Sequence, residues 1–253
     1  MSTRTEKRRQ GGISKERLIL ALLIIVAVVG LTAFGLYRNG SLTLDNLLIE
    51  LGLKPPAAVV MEDIPEYSGE PYVILQDNQP NFDLEDLTLE PFELYSELDE
   101  LGRCGVAYAN ICLEIMPTEA RGDIGQVKPT GWQTAKYDCV EGKYLYNRCH
   151  LIGYQLAGEN ANRKNLITGT RYMNVTGMLP FENMVDDYVE ETENHVLYRV
   201  TPIFEGTNLV ASGVQMEAFS VEDEGEGVCF NIYVYNVQPG VVIDYATGDS
   251  WEN

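Results

Sequence analysis

The chain has 253 residues, 45% of them hydrophobic and 22% charged, with a formal net charge of −20. That length accommodates one good-sized domain with appendages or two small ones, and the composition is that of an ordinary globular protein. The acidity excludes a general electrostatic attraction to nucleic acid, so a polyanionic substrate would need local arginines and a divalent cation to hold it; solubility explains the bulk charge more simply.

Residues 1–17 are polar and basic, with six Lys/Arg against two Glu. Residues 18–37 (LILALLIIVAVVGLTAFGLY) then run without a charge. As a helix this run would be about 30 Å long, the thickness of a bilayer core. The basic flank predicts a cytoplasmic N-terminus. A cleaved signal peptide, which would release a secreted protein, is the alternative. Its apolar region is usually about 7–15 residues and ends at a small-residue site. This run is longer, and Ala33-Phe34-Gly35 is a poor cleavage signature. The expectation is therefore a single-pass anchor in the cell membrane, with the C-terminal domain outside the cytoplasm. Residues 38–62, with leucines at 42, 44, 47, 48 and 51 before Lys54-Pro55-Pro56, read as a linker or stalk. Residues 63–253 are the expected globular domain.

Within that domain, residues 72–75 read as a strand with a turn at 77–80. The acidic, periodic stretch 84–101 reads as one or two short helices, and 104–111 (CGVAYANI) as a buried strand. Residues 116–122 form a loop carrying Arg121. Lys128-Pro129-Thr130-Gly131-Trp132 is a second loop, in which a cation beside an aromatic can grip a phosphate and stack a base; a turn with a packed indole is the commoner outcome. Residues 142–148 alternate as a strand, with His150 at or just past its end, and 166–168 form a second short strand. Residues 170–178 look helical, with Thr168 or Thr170 as N-cap, and 182–193 fit a further helix. Segments 195–204, 209–221 and 228–237 alternate and are separated by turns, which predicts an antiparallel meander. Strands at both ends with helices between give an α+β fold.

There are five cysteines, and none lies in a C-x-x-C pair. A zinc cluster is therefore not expected. Cys104 and Cys112 are close enough in sequence for a local disulfide, and buried thiols are the equal alternative.

Polar chemistry concentrates in residues 144–183. They hold His150, one of two histidines in the chain, with Asn160, Asn162, Asn165, Asn174, Arg148, Arg163, Lys164, Arg171 and Glu182. Phosphodiester hydrolysis needs a base for water, charge stabilisation on the phosphate and a neutralised leaving oxygen. Histidine is the usual base near neutral pH. A hard cation such as Mg²⁺ takes oxygen ligands and keeps several waters, so one or two protein ligands suffice, and an Asn carbonyl can be one. Two histidines exclude a three-histidine zinc site within one chain, and no G-x-S-x-G occurs. His195, beside a strand start, reads as structural.

Asn147-Arg148-Cys149-His150, then Leu151-Ile152-Gly153-Tyr154, then Asn165 and Asn174, resemble the DNA/RNA non-specific endonucleases. These are ββα-metal nucleases with an Asp-Arg-Gly-His motif, and the likeness is greatest to the streptococcal membrane-bound and secreted DNases among them. The similarity spans roughly residues 102–249 and includes Asn236-Val237-Gln238-Pro239-Gly240 and Asp244-Tyr245. The resemblance implies a ββα-metal core on an antiparallel sheet. It implies His150 as general base, Asn174 as the direct ligand of Mg²⁺ (or Mn²⁺), Asn165 as a hydrogen-bonding support and Arg148 as the motif arginine. Glu182 would hold a water of the metal's shell, with Asp186 as fallback. Arg121, Lys128 and Arg171 are the candidate substrate-binding cations. The implied substrate is DNA, with RNA as a second, and the products 5′-phosphates. Two positions depart from the motif: Asn147 stands for Asp and Cys149 for Gly. They motivate a competing expectation, a non-catalytic nucleic-acid-binding module of the same fold. A toxin-type effector nuclease is the third.

Overall fold

A computed structural model describes residues 64–83 and 86–253. The expected basic tail, membrane anchor and linker, residues 1–62, lie outside the described residues. Among the described residues no helix is long and apolar enough to cross a membrane.

The framework is a six-stranded antiparallel sheet in the order β1-β8-β7-β6-β3-β2. Its strands are β1 (Tyr72–Ile74), β2 (Phe92–Tyr95), β3 (Ala107–Ile111), β6 (Val196–Ile203), β7 (Gly213–Ser220) and β8 (Cys229–Tyr235). β6, β7 and β8 are the expected meander, built where apolar and polar residues alternate. Register is set by one apolar row on each strand. The row Ala109–Tyr198–Ala218–Phe230 runs across four strands. Alanines on both sides of Tyr198 make room for its fully buried ring. On the opposite face, Arg199 pairs with Glu217 at 2.9 Å, and the backbone N–H of Asn81 donates to the same carboxylate at 2.8 Å. The polar half of the alternation is thus buried under residues 76–83, where Asn231 is held by Gln76, Asn78 and Gln79.

The apolar face carries a two-stranded hairpin and a helical run. The hairpin pairs β4 (Tyr146–His150) with β5 (Leu166–Thr170), in register from Tyr146↔Thr170 to His150↔Leu166. A short helix, α1 (Tyr154–Ala157), lies between them. A π-helical stretch, Met173–Met178, then leads directly into α2 (Leu179–Thr192). The N-terminus of this run is capped by Thr170, whose Oγ1 accepts from the N–H of Met173 at 2.9 Å. Met173, Met178, Val185 and Val189 join Cys149, Leu151, Ile152 and Ile167 in the main core with the sheet. Each large apolar side chain so buried contributes about 1.5–3 kcal/mol. β9 (Val241–Ile243) and β10 (Ser250–Glu252) form a separate C-terminal pair.

Two expectations are corrected, and one open alternative is decided. The stretch 84–101 forms no α-helix among its described residues; it supplies β2, because Pro91 blocks a helix there and Phe92–Tyr95 pairs along β3. The two helices expected over 170–193 are one continuous run. Pro180 sits in the first turn of α2, directly after the π-helical stretch that carries one helix into the other. Gly177 lets the run approach β8, since a Cβ there would stand 2.3 Å from Val234. Finally, all five cysteines are free thiols, so Cys104 and Cys112 are not paired.

Candidate active site

Of the polar residues of 144–183, the hairpin and the helical run bring His150, Arg171, Asn174 and Glu182 to one cleft. Arg121, His150, Gly153, Tyr154, Arg171, Asn174 and Glu182 line a volume of about 370 Å³. His150 ends β4 and is buried. Its Nε2 lies 2.8 Å from the carbonyl oxygen of Asn160, and its Nδ1 lies 3.2 Å from Nη2 of Arg121. A carbonyl can only accept and a guanidinium can only donate, so Nε2 carries the hydrogen and Nδ1 keeps its lone pair. Burial holds the imidazole below its ordinary pKa; the hydrogen bond to Asn160 opposes this, and the Arg121 charge reinforces it.

Asn165 is fully buried and does not line this cleft. Its Oδ1 accepts from the N–H of Ile152 at 2.8 Å, and its Nδ2 donates to the carbonyl of Ile152 at 2.9 Å. Its own carbonyl accepts from Leu151. It clamps the backbone immediately after His150.

Asn174 lies in the π-helical stretch, where Leu179 N–H reaches back five residues to its carbonyl. Such bulges re-aim side chains and recur at functional sites. Oδ1 of Asn174 accepts from the Cys149 thiol at 2.9 Å. Room for that sulfur is made by Gly169 on β5, where a Cβ would fall 2.7 Å from Cβ of Cys149. The cysteine that replaces the motif glycine is therefore accommodated by a glycine on the neighbouring strand. Burial pushes the Cys149 thiol well above its usual pKa, so it stays protonated.

Glu182, on the first turn of α2, is buried, and no hydrogen bond from the described residues reaches its carboxylate. Desolvation pushes its pKa up to about 8 against the opposing charge of Arg121. Asp186, one turn on, is raised to about 6 by burial and neighbouring acids, and does not line the cleft. An underneutralised buried carboxylate beside an amide oxygen is a donor set that fits a hard, oxygen-seeking divalent cation.

A second cleft of about 550 Å³ adjoins the first, sharing Arg121, Arg171 and Asn174. Lys128, Trp132, Tyr144, Asn147 and Arg148 line it. Nε of Arg171 and Nδ2 of Asn147 are buried without a hydrogen-bond partner, and both residues line this cleft. Arg148 is not brought to His150. Its Nε and Nη2 donate to the carbonyls of Val127 and Gly125, and its guanidinium stacks 4.1 Å from the Trp132 ring. The motif arginine thus holds the 125–132 loop, and the indole is packed on it. Arg163 and Lys164 lie apart from both clefts, Lys164 pairing with Glu97. His195 is bound to Glu222, outside the site.

Residues 87–222 match the model of the DNA/RNA non-specific endonuclease family.

The chain belongs to that family.

Among solved structures, NucA from Streptococcus agalactiae is similar at 27% identity, over 77% of this chain and 92% of that one. Its metal-free form superposes with a TM-score of 0.65 and its magnesium-bound form with 0.66. The Sda1 nuclease with bound zinc, at 24% identity over 73% of this chain and 97% of that one, shares the fold with a TM-score of 0.60. The chain is thus a metal-dependent endonuclease with a nucleic-acid substrate, on an α+β fold whose sheet is mostly antiparallel.

Two features of the nuclease were missing from the sequence reading. Asn160 meets His150 through its backbone carbonyl, which no side-chain pattern reveals. The unpartnered donor of Asn147 is visible only once the surrounding acceptors are placed.

Proposed function

We propose that the chain hydrolyses DNA, and RNA as a second substrate, without sequence preference, with His150 as general base and Asn174 as the protein ligand of Mg²⁺ (or Mn²⁺). The observation that carries this reading is the locked tautomer of His150, whose Nδ1 lone pair faces a cleft also lined by Asn174 and Glu182.

Before substrate binds, Arg121 covers the Nδ1 lone pair and its charge helps keep the imidazole neutral. Phosphate oxygens compete for the guanidinium as the nucleic acid enters. Nδ1 is then free to take the proton of the attacking water, and the Nε2–H bond to Asn160 steadies the imidazolium that forms. A divalent cation held by Asn174 would neutralise charge on the phosphate and on the leaving oxygen. Glu182 would accept hydrogen bonds from the cation's water shell. Asn165 positions His150 through Ile152, and Arg148 shapes the substrate groove through the 125–132 loop. Lys128, Arg171 and the Asn147 amide would hold the flanking backbone.

Residues 18–37 would anchor the enzyme in the cell membrane, with residues 1–17 inside and the nuclease domain outside; the basic flank and the uncharged run support this. The test of the mechanism is plasmid degradation by the purified full chain. Activity should appear with Mg²⁺, disappear with a chelator, and fall about 10²–10⁴-fold in His150→Ala, the usual contribution of a general base. Full activity in His150→Ala would overturn it. Protease accessibility on intact cells tests the topology.

A further inference from the structure

Outside the cleft, Cys112, Glu114 and His195 gather at one end of the sheet. The ladder between β3 and β6 ends with Ile111 opposite Val196, so the next step places Cys112 across from His195. The ladder between β6 and β7 ends with Val196 opposite Ser220, which brings the segment after β7 alongside His195. From that segment Glu222 accepts two hydrogen bonds, from the backbone N–H of His195 at 2.9 Å and from its Nδ1 at 2.6 Å. Nδ1 is thereby committed, and Nε2 is the nitrogen left over. One ligand atom each from Cys112, Glu114 and His195 lies within 4.8 Å of the others.

We propose that Cys112, Glu114 and His195 bind one zinc ion, with water completing a four-coordinate site and Glu222 orienting the histidine from behind. Thiolate, imidazole and carboxylate are zinc's usual ligands, and a carboxylate on the far nitrogen of a ligating histidine is its usual support. The donor set differs from the all-oxygen set of the catalytic cleft, so the two sites select different ions. Zinc binds the thiolate, so the thiol proton, now shared with the Glu114 carboxylate, leaves to solvent. Glu114 is exposed, and its carboxylate already meets the Cys112 thiol. The three residues come from two segments far apart in sequence, so the ion pins the start of the 112–121 segment to β6. That segment carries Arg121 to His150, and the ion acts as a staple behind the cleft.

The test uses the full chain, stripped with a chelator and titrated with Co²⁺ as a spectroscopic stand-in for zinc. Wild type and Asn174→Ala should both develop a thiolate-to-cobalt charge-transfer band in the near ultraviolet, displaced by Zn²⁺. Cys112→Ser and His195→Gln should lose it. Zinc should also raise the melting temperature of Asn174→Ala but not of Asn174→Ala/His195→Gln. The absence of a band in wild type, or its persistence in Cys112→Ser, would overturn the proposal. His195→Gln leaves the buried cysteine intact, so it decides the matter should Cys112→Ser fold poorly. None of these readouts depends on nuclease activity.

Discussion

Arg121 donates through Nη2 to Nδ1 of His150 at 3.2 Å, joining a cation from the loop after β3 to the last residue of β4. The contact has two consequences of opposite kind. It protects the neutral imidazole, and it covers the atom that would accept a proton in the proposed mechanism.

Arg121→Gln removes the smaller of the two influences that lower the His150 pKa, burial being the larger. The pKa should rise part of the way toward its ordinary value. Because the neutral form is the proposed base, the acid limb of the kcat/KM profile should shift to higher pH. kcat/KM on DNA at its optimum should fall on the order of 100-fold with the loss of a phosphate donor. An acid limb that moves to lower pH would contradict this account of the contact.

Cys149→Gly restores the motif glycine. It removes the thiol donor from Asn174 Oδ1 and leaves a void beside Gly169. Stability should drop by about 1–3 kcal/mol, from the lost burial and the added backbone freedom of glycine in a strand. Nuclease activity should be retained, since neither the imidazole nor the amide oxygen is altered. Denaturant melts beside a plasmid assay separate the two effects. In the native wild type, alkylation should mark exposed Cys139 well before buried Cys149, as mapped by peptide mass spectrometry.

Asn165→Ala leaves the N–H and C=O of Ile152 without their partners in a fully buried place. Each unmet group costs about 1–3 kcal/mol. The melting temperature should fall, and kcat should fall more than KM rises, because the backbone next to His150 loses its clamp. An unchanged melting temperature would show that the clamp is not needed.

Glu182 gives a pH signature to the metal-free protein. Its folded pKa of about 8 lies above the ordinary carboxylate value. The folded chain therefore holds this proton more tightly than the unfolded chain does. The resulting stability is complete below the ordinary pKa and is lost as pH rises through about 8. With chelator present, the melting temperature should decline from about pH 5 to about pH 9. Glu182→Gln should flatten that decline, and Mg²⁺ should flatten it in the wild type by taking over the proton's role. Equal slopes in wild type and Glu182→Gln would remove Glu182 from the account.

Much of this was legible in the residues because it is local. Alternation over 195–204, 209–221 and 228–237 drew the meander, and the aromatic run 142–148 pointed to a strand beside His150, which β4 supplies with its start shifted to Tyr146. The order of His150, Asn165 and Asn174 along the chain pointed to a nuclease. Where local pattern and tertiary partner disagreed, the partner won. Leucine and acid spacing over 84–101 looks helical, yet the open edge of β3 pairs with Phe92–Tyr95. Residues 170–178 and 182–193 look like two helices, yet the π-helical stretch carries one into the other past Pro180.

By itself the sequence determined the strand-forming segments, the family and the small set of side chains that could do the chemistry, since these depend on residue type and spacing. The tertiary structure alone decided which atoms face which. It turned Nε2 of His150 to a backbone carbonyl and Nδ1 to Arg121, spent Arg148 on the 125–132 loop, and set a glycine beside Cys149. Those outcomes rest on hydrogen-bond acceptors and empty volumes supplied by distant segments, and only folding brings such segments together.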